Sequence, residues 1–212
     1  MAIIKHGIFG PVRGKLGNLV YYESNGQDIV RRIGANLHPP SMAQLACRAG
    51  IAVMSNFLKK VLEFVNAGFG LEAKAKKSNA YNLAMSYNKK NALKGAYPDI
   101  ELDYPKVMLS EGSLVPALSP SAVLSAEGLW FNWATYADMP WPERTDQVML
   151  MAYFPVLGKA VFLLYGPARI VGSALLEIST PMLDAYMETY ISFISADRSR
   201  VSNSMYTGSF NQ

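Results

Sequence analysis

Side chains that commonly carry out catalysis are sparse in this sequence of 212 residues. The two histidines are His6, in a glycine-rich stretch, and His38, which precedes two prolines, and neither has a partner at a metal-binding spacing. Cys47 is the single cysteine, so an internal disulfide is excluded, and its Ala- and Leu-rich surroundings favour a buried thiol. No nucleophile elbow or phosphate-binding glycine loop occurs. We therefore expect a protein that is not an enzyme and that holds no metal and no cofactor.

A group of carboxylates is a weaker candidate for chemistry. Asp99, Glu101 and Asp103 alternate with apolar residues, which places them on one face of a strand. Such a face could hold calcium, but it is more typical of the solvated side of an edge strand, where charge blocks unwanted strand addition.

The tryptophans form the second candidate site. Trp130, Trp133 and Trp141, with Tyr136, could stack against a sugar. Strand alternation places Trp133 in the core with Leu129 and Phe131, and leaves Trp141, between two prolines, free for a ligand. Trp141 is therefore the candidate ligand-binding residue.

A β-hairpin is predicted near the N-terminus, after a glycine-rich arm over residues 7–17. Asn25-Gly26 separates two runs of β-forming residues, and both turn positions need a positive φ. Alternation gives the hairpin two apolar faces: Val20, Tyr22 and Ile29 on one, Leu19, Tyr21 and Val30 on the other. Such a hairpin needs cover from its own domain or from another copy. Its candidate intersubunit contacts are Tyr21, Tyr22, Val30, Arg31 and Arg32.

Two helices are predicted next. The first begins at Ser41, within a capping box, and carries apolar residues at helical spacing until the glycines at 68 and 70 end it. The second covers residues 79–93, with Ser78 as its cap and Gly95 as its stop.

Short strands separated by Pro and Gly follow from about residue 98, at the spacing of a β-sandwich. The predicted fold class is α+β, in which an N-terminal β-hairpin and two-helix region (1–95) precedes an antiparallel β-sandwich (96–212). The sandwich is of the immunoglobulin-like or fibronectin-III-like kind.

The charge divides at the same boundary. Residues 1–95 carry 14 Lys and Arg against 4 Asp and Glu, a net of +10, whereas residues 96–212 carry 6 against 12, a net of −6. Two halves of opposite net charge favour either a basic face that binds a polyanion or electrostatic complementarity between copies. Nucleic acid remains the less favoured partner, since a solvated helical surface also explains the lysines.

Targeting signals are not recognised. The first residues lack the apolar segment of a signal peptide, and no apolar run approaches the ~20 residues of a membrane span. We expect no membrane insertion and a location in the cytoplasm or in a virion.

Ordered motifs along nearly the whole chain resemble a family of domains of unknown function that is common in Bacteroidota and their phages or prophages. They are GKLGNLVYY, AQLACRA, SNAYNLA, YPDIELDYPKVMLSEGSL, LWFNW, ETYISFISAD and VSNSMYTG. The resemblance implies an N-terminal β/helical region followed by an immunoglobulin-like sandwich, and it implies no catalytic or ligand-binding residue. The stretch LDAYMETYISF also resembles the penultimate strand of fibronectin-III domains, in which Tyr186 or Tyr190 would be the tyrosine that packs at the strand's start.

These observations favour a non-enzymatic structural or interaction protein, a subunit of a larger assembly, most specifically a component of a phage virion or phage-tail-like particle. Its partners would be copies of itself or other assembly proteins. The alternative is a glycan- or peptide-binding β-sandwich module that uses Trp141. A third hypothesis, an enzyme that uses Cys47 or His38, is the least favoured.

Overall fold

The computed structural model describes residues 2–3, 12–34 and 38–212, and the chain forms two compact units, Met1–Ser41 and Met42–Gln212. The fold class is α+β, as predicted. Part of the predicted glycine-rich arm, and His6 with it, lies outside the described residues.

The first unit contains an antiparallel sheet. Its described strands are β1 (Ala2–Ile3), β2 (Gly14–Leu16), β3 (Leu19–Ser24) and β4 (Gln27–Arg32), arranged in the order β1-β4-β3-β2. Strands β3 and β4 form the predicted hairpin, and Asn25 and Gly26 turn with φ of 53° and 74°.

The second unit begins with helices α1 (Met42–Lys60), α2 (Leu62–Ala75) and α3 (Ala80–Asn91). Residues 42–91 thus form three helices where two were predicted. The break lies at Val61, whose φ of −112° and ψ of 20° are not helical. The predicted stop at residues 67–70 is wrong, because α2 runs through both glycines. The cap of α3 is Asn79 rather than Ser78, and its side chain accepts a hydrogen bond from the backbone of Asn82.

The strands of residues 93–210 form three antiparallel sheets. The small sheet pairs β5 (Leu93–Lys94) with β6 (Glu101–Leu102). The outer sheet contains β7 (Ser121–Ser125), β8 (Gly128–Asn132) and β11 (Ser173–Glu177). The central sheet has the order β10-β9-β12-β13, with β9 (Gln147–Phe154), β10 (Lys159–Leu163), β12 (Met187–Ile194) and β13 (Met205–Phe210). A short helix, α4 (Thr180–Leu183), precedes β12.

The central sheet is covered on both faces, so the second unit has three layers. Alternate residues of β9 point to opposite sides: Met149, Met151 and Tyr153 join the core beneath the helices, whereas Leu150 and Ala152 join the core shared with the outer sheet. Every residue of β12 is buried. A β-sandwich is therefore present, with a helical layer added to one side of it.

The helices and the later strands share one core. The predicted boundary at residues 95 and 96 consequently falls inside the second unit, whereas the division into compact units falls at Ser41 and Met42. The change of charge at residue 95 reflects which layer a segment belongs to, because the lysine-rich segment supplies the helices and the acidic segment supplies most strands of the second unit.

Candidate functional site

The first candidate site is the N-terminal sheet, where the predicted contact residues lie on opposite faces. Tyr21 pairs with Val30, and Leu19 pairs with Arg32, so these side chains share one face. Tyr22 and Arg31 lie on the other face. The predicted division of the apolar residues between two faces is confirmed by this register. Whether these residues contact another subunit stays a prediction.

Within the described part of the first unit, other residues cover this sheet only partly. None of the residues 12–34 and 38–41 is buried, and the apolar residues at the centre of the hairpin are half-buried. Leu16 on β2 keeps 65% of its surface exposed. Arg13 and Glu23 form an exposed ion pair, which contributes little to stability. Within these residues the sheet has no closed hydrophobic core.

The second candidate site is a cavity of about 660 Å³ in the second unit. Strand β6 and the turn after it form one wall, and the ends of β12 and β13 form the other. The lining combines an apolar part with three tyrosines and four charged side chains: Val53, Lys94, Ile100, Glu101, Leu102, Asp103, Tyr104, Pro105, Tyr186, Glu188, Tyr206 and Gln212. Its size lies within the range of small-molecule pockets, about 300–1,000 Å³.

A buried carboxylate lies at the wall of this cavity. Glu188 is on β12, on the face that meets the helices, and only 2% of its surface is exposed. Tyr206 donates a hydrogen bond to its Oε2 at 2.6 Å, and Tyr186 donates a short one to its Oε1. Nearby, the buried Tyr190 donates to the backbone oxygen of Tyr104 at 2.9 Å. We call Glu188, Tyr186 and Tyr206 the tyrosine–carboxylate cluster.

The tyrosines of the cluster are poor acids. Burial, together with the hydrogen bond to Glu188, raises the pKa of Tyr186 and of Tyr206 to about 12 each. Burial also raises the pKa of Tyr104 above its usual value. These hydroxyls therefore keep their protons at neutral pH and act as hydrogen-bond donors rather than as general bases.

The third candidate site surrounds Trp141, which is 77% exposed, as expected of a free tryptophan. Trp133 is buried, also as expected. The prolines on either side of Trp141 line a cavity of about 240 Å³ together with Glu143, Asp146 and Arg200. An exposed indole thus lies beside a small concave surface lined by charged side chains, an arrangement suited to a polar ligand.

Asp146, in the lining of this cavity, belongs to a buried ion pair with Arg169. Arg169 Nη2 is 3.3 Å from Asp146 Oδ2 and donates to the backbone oxygen of Val115 at 2.7 Å. Its guanidinium also lies 3.9 Å from the ring centroid of Phe193. Burial raises the pKa of Asp146, although the charge of Arg169 opposes that shift. Asp146 Oδ1 is buried and has no hydrogen-bond partner.

Cys47, one of the two residues considered for catalysis, does not line either of these cavities. Cys47 is exposed on α1, where the Lys89 Nζ donates to its sulfur at 3.1 Å, so the expectation of a buried thiol is wrong. His38 is exposed. In the part of the chain that the structure describes, no three His, Cys, Asp or Glu side chains are grouped as for a metal ion, and no helix is long and apolar enough to cross a membrane.

The acidic triple is only partly assembled. Glu101 lies 3.6 Å from Lys94, and Asp103 lies 2.6 Å from Lys106. Glu101 is on β6, and Asp103 precedes a 3₁₀ turn at Tyr104–Lys106, so the residues 99–103 do not form one continuous strand. Glu101 and Asp103 nevertheless reach the larger cavity.

The tyrosine–carboxylate cluster was missed in the sequence. One signal was available: Glu188 is a charged residue within the apolar strand METYISFI, on the same face as Tyr190. A carboxylate in such a strand must either be covered by hydrogen-bond donors or interrupt the core. Tyr186 lies two residues before Glu188, but the second donor, Tyr206, comes from β13, and no local pattern identifies it.

Together these features define an α+β protein with a three-layer second unit and a cavity beside a buried carboxylate. The chain belongs to a family of unknown function, DUF6266, which matches residues 11–208. No curated protein and no solved structure matches the chain. The resemblance to a family of unknown function is thereby confirmed. Its occurrence in Bacteroidota and phages, and the likeness to immunoglobulin and fibronectin-III domains, stay predictions.

Proposed function

We propose that this protein is a non-enzymatic structural protein that joins a larger assembly through its N-terminal sheet. The observation that carries the proposal is the sheet itself: no residue of β2, β3 or β4 is buried, although tyrosines and aliphatic side chains occupy both faces of the hairpin. A sheet of this kind is marginal alone and gains stability when another surface covers it.

Electrostatics supports the same proposal. The described edge strand β2 carries Lys15, and β4 ends in Arg31 and Arg32, so the sheet is bordered by positive charge. Residues 96–212 have a net charge of −6 and offer an acidic counterpart on another copy. Strand addition at an edge and apolar contact on a face are both open to such a sheet.

The test is the mass of the full-length protein in solution, measured by light scattering at low and high salt. We expect a discrete oligomer or filament that loosens as salt rises, because screening weakens contacts between opposite charges. The variant Tyr21→Asp should shift the population to monomer. Tyr87→Asp, at an exposed tyrosine on α3, is the matched control and should not. A wild-type protein that stays monomeric, alone and with its co-purifying proteins, would contradict the proposal.

The most specific form of the proposal is a component of a phage virion or phage-tail-like particle. It rests on the resemblance of the sequence motifs and on the suitability of an uncovered sheet for repeated contacts. Mass spectrometry of purified particles from a strain that carries the gene tests it: recovery of this chain in stoichiometric amount is the expected result, and its absence contradicts this form.

A second candidate function is the binding of a glycan or peptide at Trp141. The exposed indole and the neighbouring cavity with Glu143, Asp146 and Arg200 favour it, because stacking and charged hydrogen bonds together recognise polar ligands. Titration of a glycan panel would test it. Trp141→Ala should abolish binding, whereas Trp130→Ala, at the 41% exposed tryptophan of β8, should preserve it. Equal behaviour of the two variants would reject the site.

A further inference from the structure

The charge of Glu188 has no counter-ion among the described residues. Every Lys and Arg that forms an ion pair there is paired with another carboxylate. Within the described part of the chain, its oxygens accept hydrogen bonds from two hydroxyls, those of Tyr186 and Tyr206. Removing a carboxylate from water is unfavourable, and hydrogen bonds from two hydroxyls offset that cost less fully than a positive charge would. This carboxylate is therefore placed where an additional cation would stabilise the protein.

The remaining charges of the cavity balance one another. Glu101 pairs with Lys94, and Asp103 pairs with Lys106. One negative charge, that of Glu188, is left uncompensated at the wall of a cavity of about 660 Å³. The space is large enough for a ligand that carries the missing positive charge.

The lining indicates what kind of cation would fit. Val53, Ile100, Leu102 and Pro105 offer apolar surface for an alkyl chain. Tyr104, Tyr186 and Tyr206 line the same cavity, and aromatic rings attract cations. A carboxylate has about four acceptor positions, of which the two hydroxyls occupy two.

We propose that this cavity binds an organic cation, namely an alkyl chain that ends in a primary ammonium or guanidinium group, with the head group on Glu188. The ammonium or guanidinium donates to the free acceptor positions of the carboxylate, while the tyrosines continue to donate to the others. The alkyl chain lies along the apolar wall. A divalent metal fits less well, because no group of three metal-ligating side chains occurs among the described residues. This inference is independent of assembly through the N-terminal sheet.

Calorimetric titration of the full-length protein tests the site without any substitution. The probes are Nα-acetyl-lysine methylamide, its arginine counterpart, and the same lysine compound with its side-chain amine acetylated. We expect saturable binding of the two cations and at least tenfold weaker binding of the neutral analogue. No saturation by either cation up to about 10 mM, well above a ~1 mM dissociation constant, would overturn the proposal, as would equal binding of the neutral probe.

Substitution locates the binding. Glu188→Gln keeps the size of the side chain and removes its charge, and should weaken binding at least tenfold. Glu63→Gln is the matched control, since it removes an exposed carboxylate of α2 that does not line the cavity, and should change binding less than threefold. The opposite ranking of the two variants would overturn the assignment to Glu188. If Glu188→Gln does not fold, the comparison of charged and neutral probes on the wild-type protein still decides.

The source of the cation can be separated in the same experiment. If the natural ligand is a free amine, the oligomeric mass of the protein stays unchanged when the probe saturates the site. If the cation is instead a Lys or Arg side chain of another copy, the probe displaces that side chain, and the copies held together through the cavity dissociate as the probe is added. Both outcomes require the cavity to bind the cation, and they differ only in where that cation comes from.

Discussion

The two units of this protein differ in how their strands are covered. In the second unit, β9 and β12 lie between helices on one side and the outer sheet on the other, and nearly all their side chains are buried. In the first unit, β3 and β4 form an equally regular ladder, but no described side chain is buried. Regular strand pairing alone therefore does not indicate where stability lies. The second unit provides the folded scaffold, and the first unit offers surface.

The largest expected effect tests this contrast directly. Leu150→Ala removes a fully buried side chain from β9 and should lower the free energy of unfolding by about 2–5 kcal/mol, because it leaves a cavity between two layers. Leu16→Ala, on the exposed strand β2, should change it by less than about 0.5 kcal/mol. Chemical denaturation followed by circular dichroism measures both. Similar losses in the two variants would refute the contrast.

A second pair of variants examines how closely the helical layer approaches the loop before the sandwich. A Cβ atom on Gly68 would lie 2.3 Å from the backbone oxygen of Leu109, whereas one on Gly70 would meet nothing within 4 Å. Gly68→Ala should destabilise the protein by about 1–3 kcal/mol, since backbone must shift. Gly70→Ala should be neutral or stabilising by up to about 1 kcal/mol, because alanine favours a helix. Thermal unfolding of both proteins distinguishes these results.

A third substitution removes hydrogen bonds between the helical layer, here α3, and the same loop before the sandwich. Asn88 on α3 is fully buried, and its amide donates to the backbone oxygen of Met108 at 2.7 Å while its oxygen accepts from the Met108 nitrogen at 2.8 Å. Asn88→Ala should cost about 1–2 kcal/mol, because a buried backbone group loses its partner. Asn91→Ala, whose amide bonds only within the helix at the surface, is the control. An equal effect of both on the denaturation midpoint would contradict the link.

The smallest effect concerns pH. In the folded state the pKa of Tyr186 and of Tyr206 is about 12, above the usual value of 10 that applies after unfolding. The stabilisation that their raised pKa values give to the folded state is therefore complete below pH 10 and is lost as the pH rises through about 12. Tyr206→Phe should flatten the decline of the unfolding free energy between pH 10 and 12. An unchanged slope in Tyr206→Phe would contradict the role of the cluster.

Local patterns predicted much of the fold. The Asn25-Gly26 turn has the expected position, and strands follow residue 98 as expected, because turn chemistry and strand patterning are recorded in neighbouring residues. The glycines at 68 and 70 misled the prediction of a helix end. Gly68 is present for a close approach of another segment, and that requirement is visible only in the tertiary structure.

The candidate sites were less predictable than the fold. Exposure of Trp141 followed from its flanking prolines and from the alternation around Trp133. The tyrosine–carboxylate cluster could not be assembled from sequence, since Tyr206 reaches Glu188 only when β12 and β13 pair. Exposure of Cys47 also depends on tertiary packing, because an Ala- and Leu-rich stretch does not specify which side of the helix is covered.

The position of β12 in the central sheet has a consequence for synthesis on the ribosome. The helices α1, α2 and α3 end at Asn91, but β12, which completes the surface they pack on, begins only at Met187. At translation rates of about 5–20 residues per second, roughly 5–20 s separate the synthesis of the helices from that of β12, and during this interval β12 does not cover the apolar side of the helices. A nascent chain arrested between these points is the form of this protein that chaperones would engage most strongly.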